Sequence, residues 1–225
     1  MFYDDIILEI GKFLNTDDKI RWFSVCRRHR RLICRSEITR LVKYTSVAQL
    51  PFHHIFANLF VENIAEINAV TKIIENNVGR KYTISLHFSI NEAINLPRGL
   101  CGITFGASFN QPVVLHEGLE TINFGFYFNQ SVILPNSAKH VAFGTYFNQP
   151  VVLPPNLEAI TFSLSFNQPV ILPSKIKQAF FLSGYKHKLN YPDSLVQLWV
   201  RDTYPHDIPR RINVPHRAQD YEKSS

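Results

Sequence analysis

A seven-residue phrase recurs four times at a spacing of nineteen residues, and that spacing limits what this chain can fold into. It reads Phe109-Asn110-Gln111-Pro112-Val113-Val114-Leu115, with near-copies from Phe128 to Leu134, Phe147 to Leu153 and Phe166 to Leu172. A fixed period of this size means stacked coils, each burying its apolar side chains against its neighbours alone. Such a stack largely excludes a conventional enzyme pocket and points to an extended binding surface.

The period reaches beyond the clean copies. One period earlier, Ile90-Asn91-Glu92-Ala93-Ile94-Asn95-Leu96-Pro97 keeps the pattern with Ile in the Phe place. One period later Tyr185 stands there, and Leu189, Tyr191 and Pro192 follow more loosely. Between the phrases runs Leu-Pro-x-x-Leu-x-x-Ile-x-Phe-Gly, as in Leu96 to Gly106 and Leu134 to Gly144. Its columns are Leu100, Leu119, Ala138, Leu157, Ile176, Leu195; then Ile103, Ile122, Val141, Ile160, Ala179, Leu198; then Phe105, Phe124, Phe143, Phe162, Phe181, Val200. The last two columns are two residues apart, so in an extended segment they share one side. A short strand is expected there, stacking into a parallel, right-handed ladder with about 4.8 Å between coils. This looks like a shortened leucine-rich repeat, a class that usually takes about 20–29 residues per coil. Nineteen residues and a proline leave little room for a return helix, so the return limb is expected to be extended or 3₁₀. The expected fold class is α+β: a small helical N-terminal module followed by a leucine-rich-repeat-like parallel β-solenoid.

Asn91, Asn110, Asn129, Asn148 and Asn167 form a column of their own. An amide both donates and accepts, so a stack of them can satisfy turn backbone from coil to coil. The other reading is an exposed amide comb that binds a ligand. Identity at every rung carries no information about a partner, which favours the structural ladder. Lys186 replaces Asn at the next rung and marks its end.

Partner contacts are sought where the repeat varies. Side chains alternate along a strand, so the residues between the inward columns face out. These are Ser85, Thr104, Asn123, Ala142, Thr161, Phe180 and Trp199, with Gly102, Thr121, His140, Ala159, Gln178 and Gln197 just before the Ile column. Thr104, Asn123, His140, Thr161, Phe180, Trp199 and Arg201 are the contact candidates. Phe180 and Trp199 beside Arg201 have the composition of a binding hot spot. Equally open is a cap in which those two rings fold under the tail.

Composition narrows the class. Residues 1–50 carry ten Lys/Arg against six Asp/Glu, whereas residues 90–184 carry four of each. Most of the excess is the cluster Arg27-Arg28-His29-Arg30-Arg31 with Arg35. Confined to one short segment and interleaved with Leu32 and Ile33, it reads as a solvated helix face or a contact for an acidic partner, not as a nucleic-acid groove. No apolar run approaches the roughly 18 residues of a membrane span. The acidic opening, Met1-Phe2-Tyr3-Asp4-Asp5, is unlike a secretory signal, and Cys26, Cys34 and Cys101 are too few and scattered for a disulfide framework. An intracellular, cytoplasmic protein is expected, with the nucleus also open.

Near the N-terminus Ile6, Ile7, Ile10, Phe13 and Leu14 recur at helical steps, and Asn15-Thr16-Asp17-Asp18 breaks the helix and caps the next. With Ile20 and Val25-Cys26-Arg27-Arg28-His29-Arg30-Arg31-Leu32, this segment resembles an F-box. It departs from that family's pattern with Phe2-Tyr3 for the opening Leu-Pro and His29 for the usual Trp. The phrase Phe-Asn-Gln-Pro-Val/Ile with Leu-Pro-x-x-Leu-x-x-Ile-x-Phe-Gly resembles the FNIP repeat. That repeat is known mainly from social amoebae and large viruses of amoebae, often behind an F-box. The resemblances imply a substrate-receptor adaptor of a Skp–cullin–F-box type ubiquitin ligase, in the host cytoplasm if viral. Phe2, Ile6, Ile7, Ile10, Phe13 and Leu14 would bind the Skp-type subunit, and through it a cullin, while the repeats bind an unknown target. The alternative is a free-standing repeat scaffold or decoy whose N-terminal helices are only a cap.

The expected domains are 1–45, F-box-like; 46–83, a helical linker and cap; 84–205, the solenoid; and 206–225, a C-terminal cap and loose tail. In the linker, Leu59, Ile64, Ile67, Val70, Ile73 and Ile74 suggest one helix ending at Asn76-Asn77-Val78-Gly79. No phosphate loop, paired catalytic carboxylates or nucleophile elbow appears. His53-His54 has no further ligand at metal spacing, and Cys101 sits where other coils have Glu120, Lys139 and Glu158. A non-enzymatic monomer is expected, with no cofactor, metal, nucleic acid or membrane as partner.

Overall fold

A computed structural model describes residues 41–48, 57–77, 79–201 and 203–214. The F-box-like segment with Phe2, Ile6, Ile7, Ile10, Phe13 and Leu14, the basic cluster, His53-His54 and the tail from 215 lie outside the described residues.

Among the described residues, nine strands form one all-parallel sheet in sequence order. They are β1 (Val42–Lys43), β2 (Asn58–Val61), β3 (Tyr82–Leu86), β4 (Leu100–Thr104), β5 (Thr121–Asn123), β6 (His140–Ala142), β7 (Ala159–Phe162), β8 (Gln178–Phe181) and β9 (Gln197–Trp199). Helix α1 (Tyr44–Val47) follows β1, and α2 (Ile64–Asn76) follows β2. The register pairs Ile103 with Ile122, Ile122 with Val141, Val141 with Ile160, Ile160 with Ala179 and Ala179 with Leu198. Chain order, sheet order and, from β3 onward, one period per strand together make a parallel β-solenoid. Its return limbs carry no helix from β4 onward.

The interior is a set of ladders. All three strand-motif columns are buried from Leu100 to Val200. Behind them Phe109, Phe128, Phe147, Phe166 and Tyr185 stack nearly parallel, with ring centroids 6.0–6.3 Å apart. The Phe105, Phe124, Phe143 and Phe162 rings stack at 4.9–5.4 Å beside them. Each burial is worth roughly 1.5–3 kcal/mol, and the rings fill the width of the coil. Tyr204 extends the first ladder by one more period, stacked on Tyr185 at 6.4 Å.

The motif also sets the corners. At the corner into each strand, Pro135, Pro154, Pro173 and Pro192 carbonyls accept from the backbone N–H three residues on, closing β-turns. At the corner out of the strand, the glycine is required by crowding: a Cβ on Gly125 would lie 1.9 Å from the Gly106 carbonyl oxygen, and one on Gly144 2.0 Å from that of Gly125. Ser163 and Leu182 replace this glycine further along, and there the pairing continues one residue longer, to Phe162 with Phe181.

The sheet starts earlier than the repeat does. A boundary at 84 would cut through β3, and Leu59, expected on the linker helix, is instead buried in β2 between Val42 and Ile84. Asn58 to Val61 alternate half-buried and buried, the two-residue period of a strand. The β2-to-β3 crossover is longer than nineteen residues because α2 replaces the extended limb, so the register of the sequence is lost while parallel pairing persists. Asn63 caps α2 by accepting from the Glu66 N–H at 3.0 Å, and the Glu66 carboxylate accepts from the Glu62 N–H at 2.8 Å. The Glu66 carboxylate also accepts from the Asn63 side-chain amide at 3.1 Å, so the arrangement is a capping box widened by one residue. Ile67, Val70, Ile73 and Ile74 form its buried face.

Candidate functional site

The outward face of the sheet carries the residues that change from rung to rung. Thr104 and His140 are exposed; Asn123, Thr161, Phe180 and Trp199 are half-buried. Asn123 donates through Nδ2 to the Thr104 hydroxyl at 3.2 Å. Phe180 and Trp199 are register partners on β8 and β9, with the inward places beside them taken by Phe181 and Val200. Arg201 is exposed just past β9. The structure therefore brings Phe180, Trp199 and Arg201 to one end of the outer face, with Thr104 and Asn123 several rungs away.

The last coil is closed by other residues. Tyr204 and Ile212 are buried, and Asn213 bridges to β9 through Leu198 N–H to Asn213 oxygen at 3.0 Å. The Arg211 guanidinium donates to the Tyr191 carbonyl at 2.6 Å and the Pro192 carbonyl at 3.0 Å. A cleft of about 420 Å³ opens on the outer face beside this cap, lined by His140, Glu158, Lys177, Gln178, Gln197 and Asn213.

A charged ladder borders the face. Glu120 accepts from Lys81 at 2.7 Å and from Lys139 at 3.1 Å, and Glu158 pairs with Lys177 at 2.5 Å. The hydrogen bond from Lys81, then that from Lys139, hold the Glu120 carboxyl below the usual carboxylate range. Cys101 occupies the same column, and its thiol donates to the Tyr82 carbonyl at 3.2 Å. Burial pushes that thiol up, away from the reactive thiolate.

The Asn column is a hydrogen-bond ladder with one direction. The Asn91 Oδ1 accepts from the Asn110 N–H at 2.8 Å, and the same bond repeats from Asn110, Asn129 and Asn148 to the following rung at 2.9, 3.0 and 2.9 Å. Asn167 meets the Lys186 N–H at 3.3 Å. The Gln side chains of the phrase reinforce it, Gln130 and Gln149 each donating to the Asn oxygen one rung back at 3.2 Å.

A second feature of the surface lies on the turns that leave the strands. Phe126, Tyr127 and Tyr146 are 43–51% exposed and pack on one another with centroids 4.9–5.3 Å apart. They stand between the glycine and the repeated Phe, where the phrase has no fixed residue. Aromatic residues at a variable position were the available signal. Among the described residues no group of three or more His, Cys, Asp or Glu is placed to hold a metal ion, and no helix is long and apolar enough to cross a membrane. No protein-family model and no curated protein matches the chain.

Proposed function

We propose that this chain is the substrate-receptor subunit of a Skp–cullin–F-box type ubiquitin ligase. Residues 1–45 dock on the Skp-type subunit through Phe2, Ile6, Ile7, Ile10, Phe13 and Leu14. The outward face of the solenoid holds a target protein, and other subunits carry out ubiquitin transfer. The reading rests on two resemblances in their usual order, F-box then FNIP repeats. The observation that carries the binding half is the contrast between columns. Inward positions repeat Phe, Ile and Leu at almost every rung, whereas the outward ones run Thr104, Asn123, Ala142, Thr161, Phe180, Trp199. Packing explains the first set and leaves the second free to match one partner. The Phe126, Tyr127 and Tyr146 cluster, on the turns that leave β5 and β6, adds a separate exposed aromatic patch, and Tyr, Trp and Arg dominate binding hot spots.

Capture of a recombinant Skp-type adaptor by the full chain tests this. Charging Ile7 and Leu14 together to Asp should abolish capture and leave the solenoid's melting unchanged. Unchanged capture, or no capture by the unaltered chain, leaves a free-standing scaffold as the function. Replacing Phe180 and Trp199 together with Ser should then release targets without moving the melting temperature.

A further inference from the structure

The return limbs expose one residue per rung that packing does not require. Val114, Ile133, Val152 and Ile171 are 80–89% exposed, while the next residue of each limb, from Leu115 to Leu172, turns inward. These four side chains form a straight β-branched row, since each is one period from the next. The row ends where the same column becomes Asn95 on one side and Asn190 on the other. Exposed prolines flank it, Pro112, Pro150 and Pro169, and a groove of about 540 Å³ runs between Val152 and Ile171, floored by Leu153 and walled by Pro155 and Pro173. A contiguous apolar strip of this kind marks an interaction surface.

We propose that this face joins two copies of the chain in a two-fold dimer, with the solenoid axes antiparallel. Period selects the occupant. The row advances about 4.8 Å per rung. A lone partner strand offers side chains about every 6.8 Å and is out of step after one or two rungs, and a partner helix, at 5.4 Å or so along its axis, drifts by about 0.6 Å at every rung. A second row of the same chain stays in step throughout.

Size and complementarity agree with this. Six rungs at about 4.8 Å and a limb of eight residues at about 3.3 Å make a face of roughly 750 Å², close to the roughly 800 Å² per partner of a stable interface. A two-fold axis along the limb reverses the order of rungs and keeps each column opposite itself. Val114 then meets Ile171 of the second copy, and Ile133 meets Val152, so every contact joins a smaller to a larger side chain. The same operation sets exposed Arg98 opposite Asp193 of the second copy. Arg98 forms no ion pair among the described residues, and Asp193 only a 3.6 Å one with Arg211.

Sedimentation velocity of the full chain from low to high micromolar concentration tests the proposal. The unaltered protein should dimerise. Ile133→Asp, which appears twice in the interface, should raise the dissociation constant about a hundredfold or more, with the monomer's melting temperature unchanged. Arg98→Asp and Asp193→Arg should each weaken the dimer, and together restore it. A chain that stays monomeric overturns the proposal, and an accompanying drop in melting for Ile133→Asp would show that a segment of the same chain covers the row. A dimer indifferent to Ile133→Asp overturns it as well, and a dimer that the double charge exchange does not restore overturns the antiparallel arrangement.

Discussion

Replacing Phe147 with Ala tests whether the solenoid is held by its ring ladders. The side chain is fully buried, with its centroid 3.8 Å from Phe143, 6.1 Å from Phe128 and 6.0 Å from Phe166. Truncating a buried Phe costs about 3–5 kcal/mol, the removed apolar surface and the residual cavity together. The upper part of that range applies, because rings on both neighbouring rungs lose a stacking partner worth roughly 0.5–1.5 kcal/mol each. The coils on either side are held apart by their own backbone ladder and cannot collapse into the gap. For a chain of this length each kcal/mol moves the midpoint by about 2–4 °C, so a fall of about 8–20 °C is expected by circular dichroism. Stability in a stack is a sum of coil and interface terms, so the mid-array defect should also lower the urea m-value as the two halves uncouple. The control is Asn95→Ala, on an exposed limb position. If the Phe147 variant melts within a degree or two of that control, the ring is not inside and the ladder argument fails.

Asn129→Ala should cost about 1–3 kcal/mol by urea titration, because the Asn148 N–H and Gln149 amide lose their acceptor; Asn129→Asp, which keeps an acceptor, should cost less at neutral pH. Gly125→Ala should destabilise by about 3 kcal/mol in the same assay, since its Cβ would meet the Gly106 carbonyl of the preceding coil. Glu120 contributes in a pH-dependent way: its folded pKa is lowered, so its contribution is present above the unfolded carboxylate pKa and lost as pH falls through the folded one. Glu120→Gln should therefore lower stability by at most about 1 kcal/mol at neutral pH, and the two proteins should converge in acid melting curves.

The sequence was most legible where one coil copies the next. Columns through Ile103, Phe105 and Phe109 could be assigned to the interior because a nineteen-residue step and a two-residue alternation coincide there. The reading failed where either rhythm breaks. β2 reads as part of the linker helix because the crossover carrying α2 removes the nineteen-residue step, and a short apolar run does not separate strand from helix. Tyr204 is not legible as a ladder ring because the residues around it have lost the repeated phrase. The Gln side chains give no orientation in the sequence, since an amide beside the Asn column can face either solvent or the neighbouring coil. The aromatic cluster at Phe126, Tyr127 and Tyr146 falls at positions with no consensus, where a pattern gives no orientation and only the turn geometry does.

The one-way character of the amide ladder bears on how the chain comes to be folded. At each step from Asn91 to Lys186 the acceptor belongs to the earlier coil and the donor to the later one. A chain leaving the ribosome therefore finishes every acceptor before the donor that will use it has been made. Each completed coil is a template for its successor, and assembly can follow synthesis without waiting for the far end. The same polarity makes coil number a free variable. A further nineteen residues inserted in phase between Asn167 and Lys186 would donate to Asn167, accept from the Lys186 N–H and leave the rest of the ladder as it is.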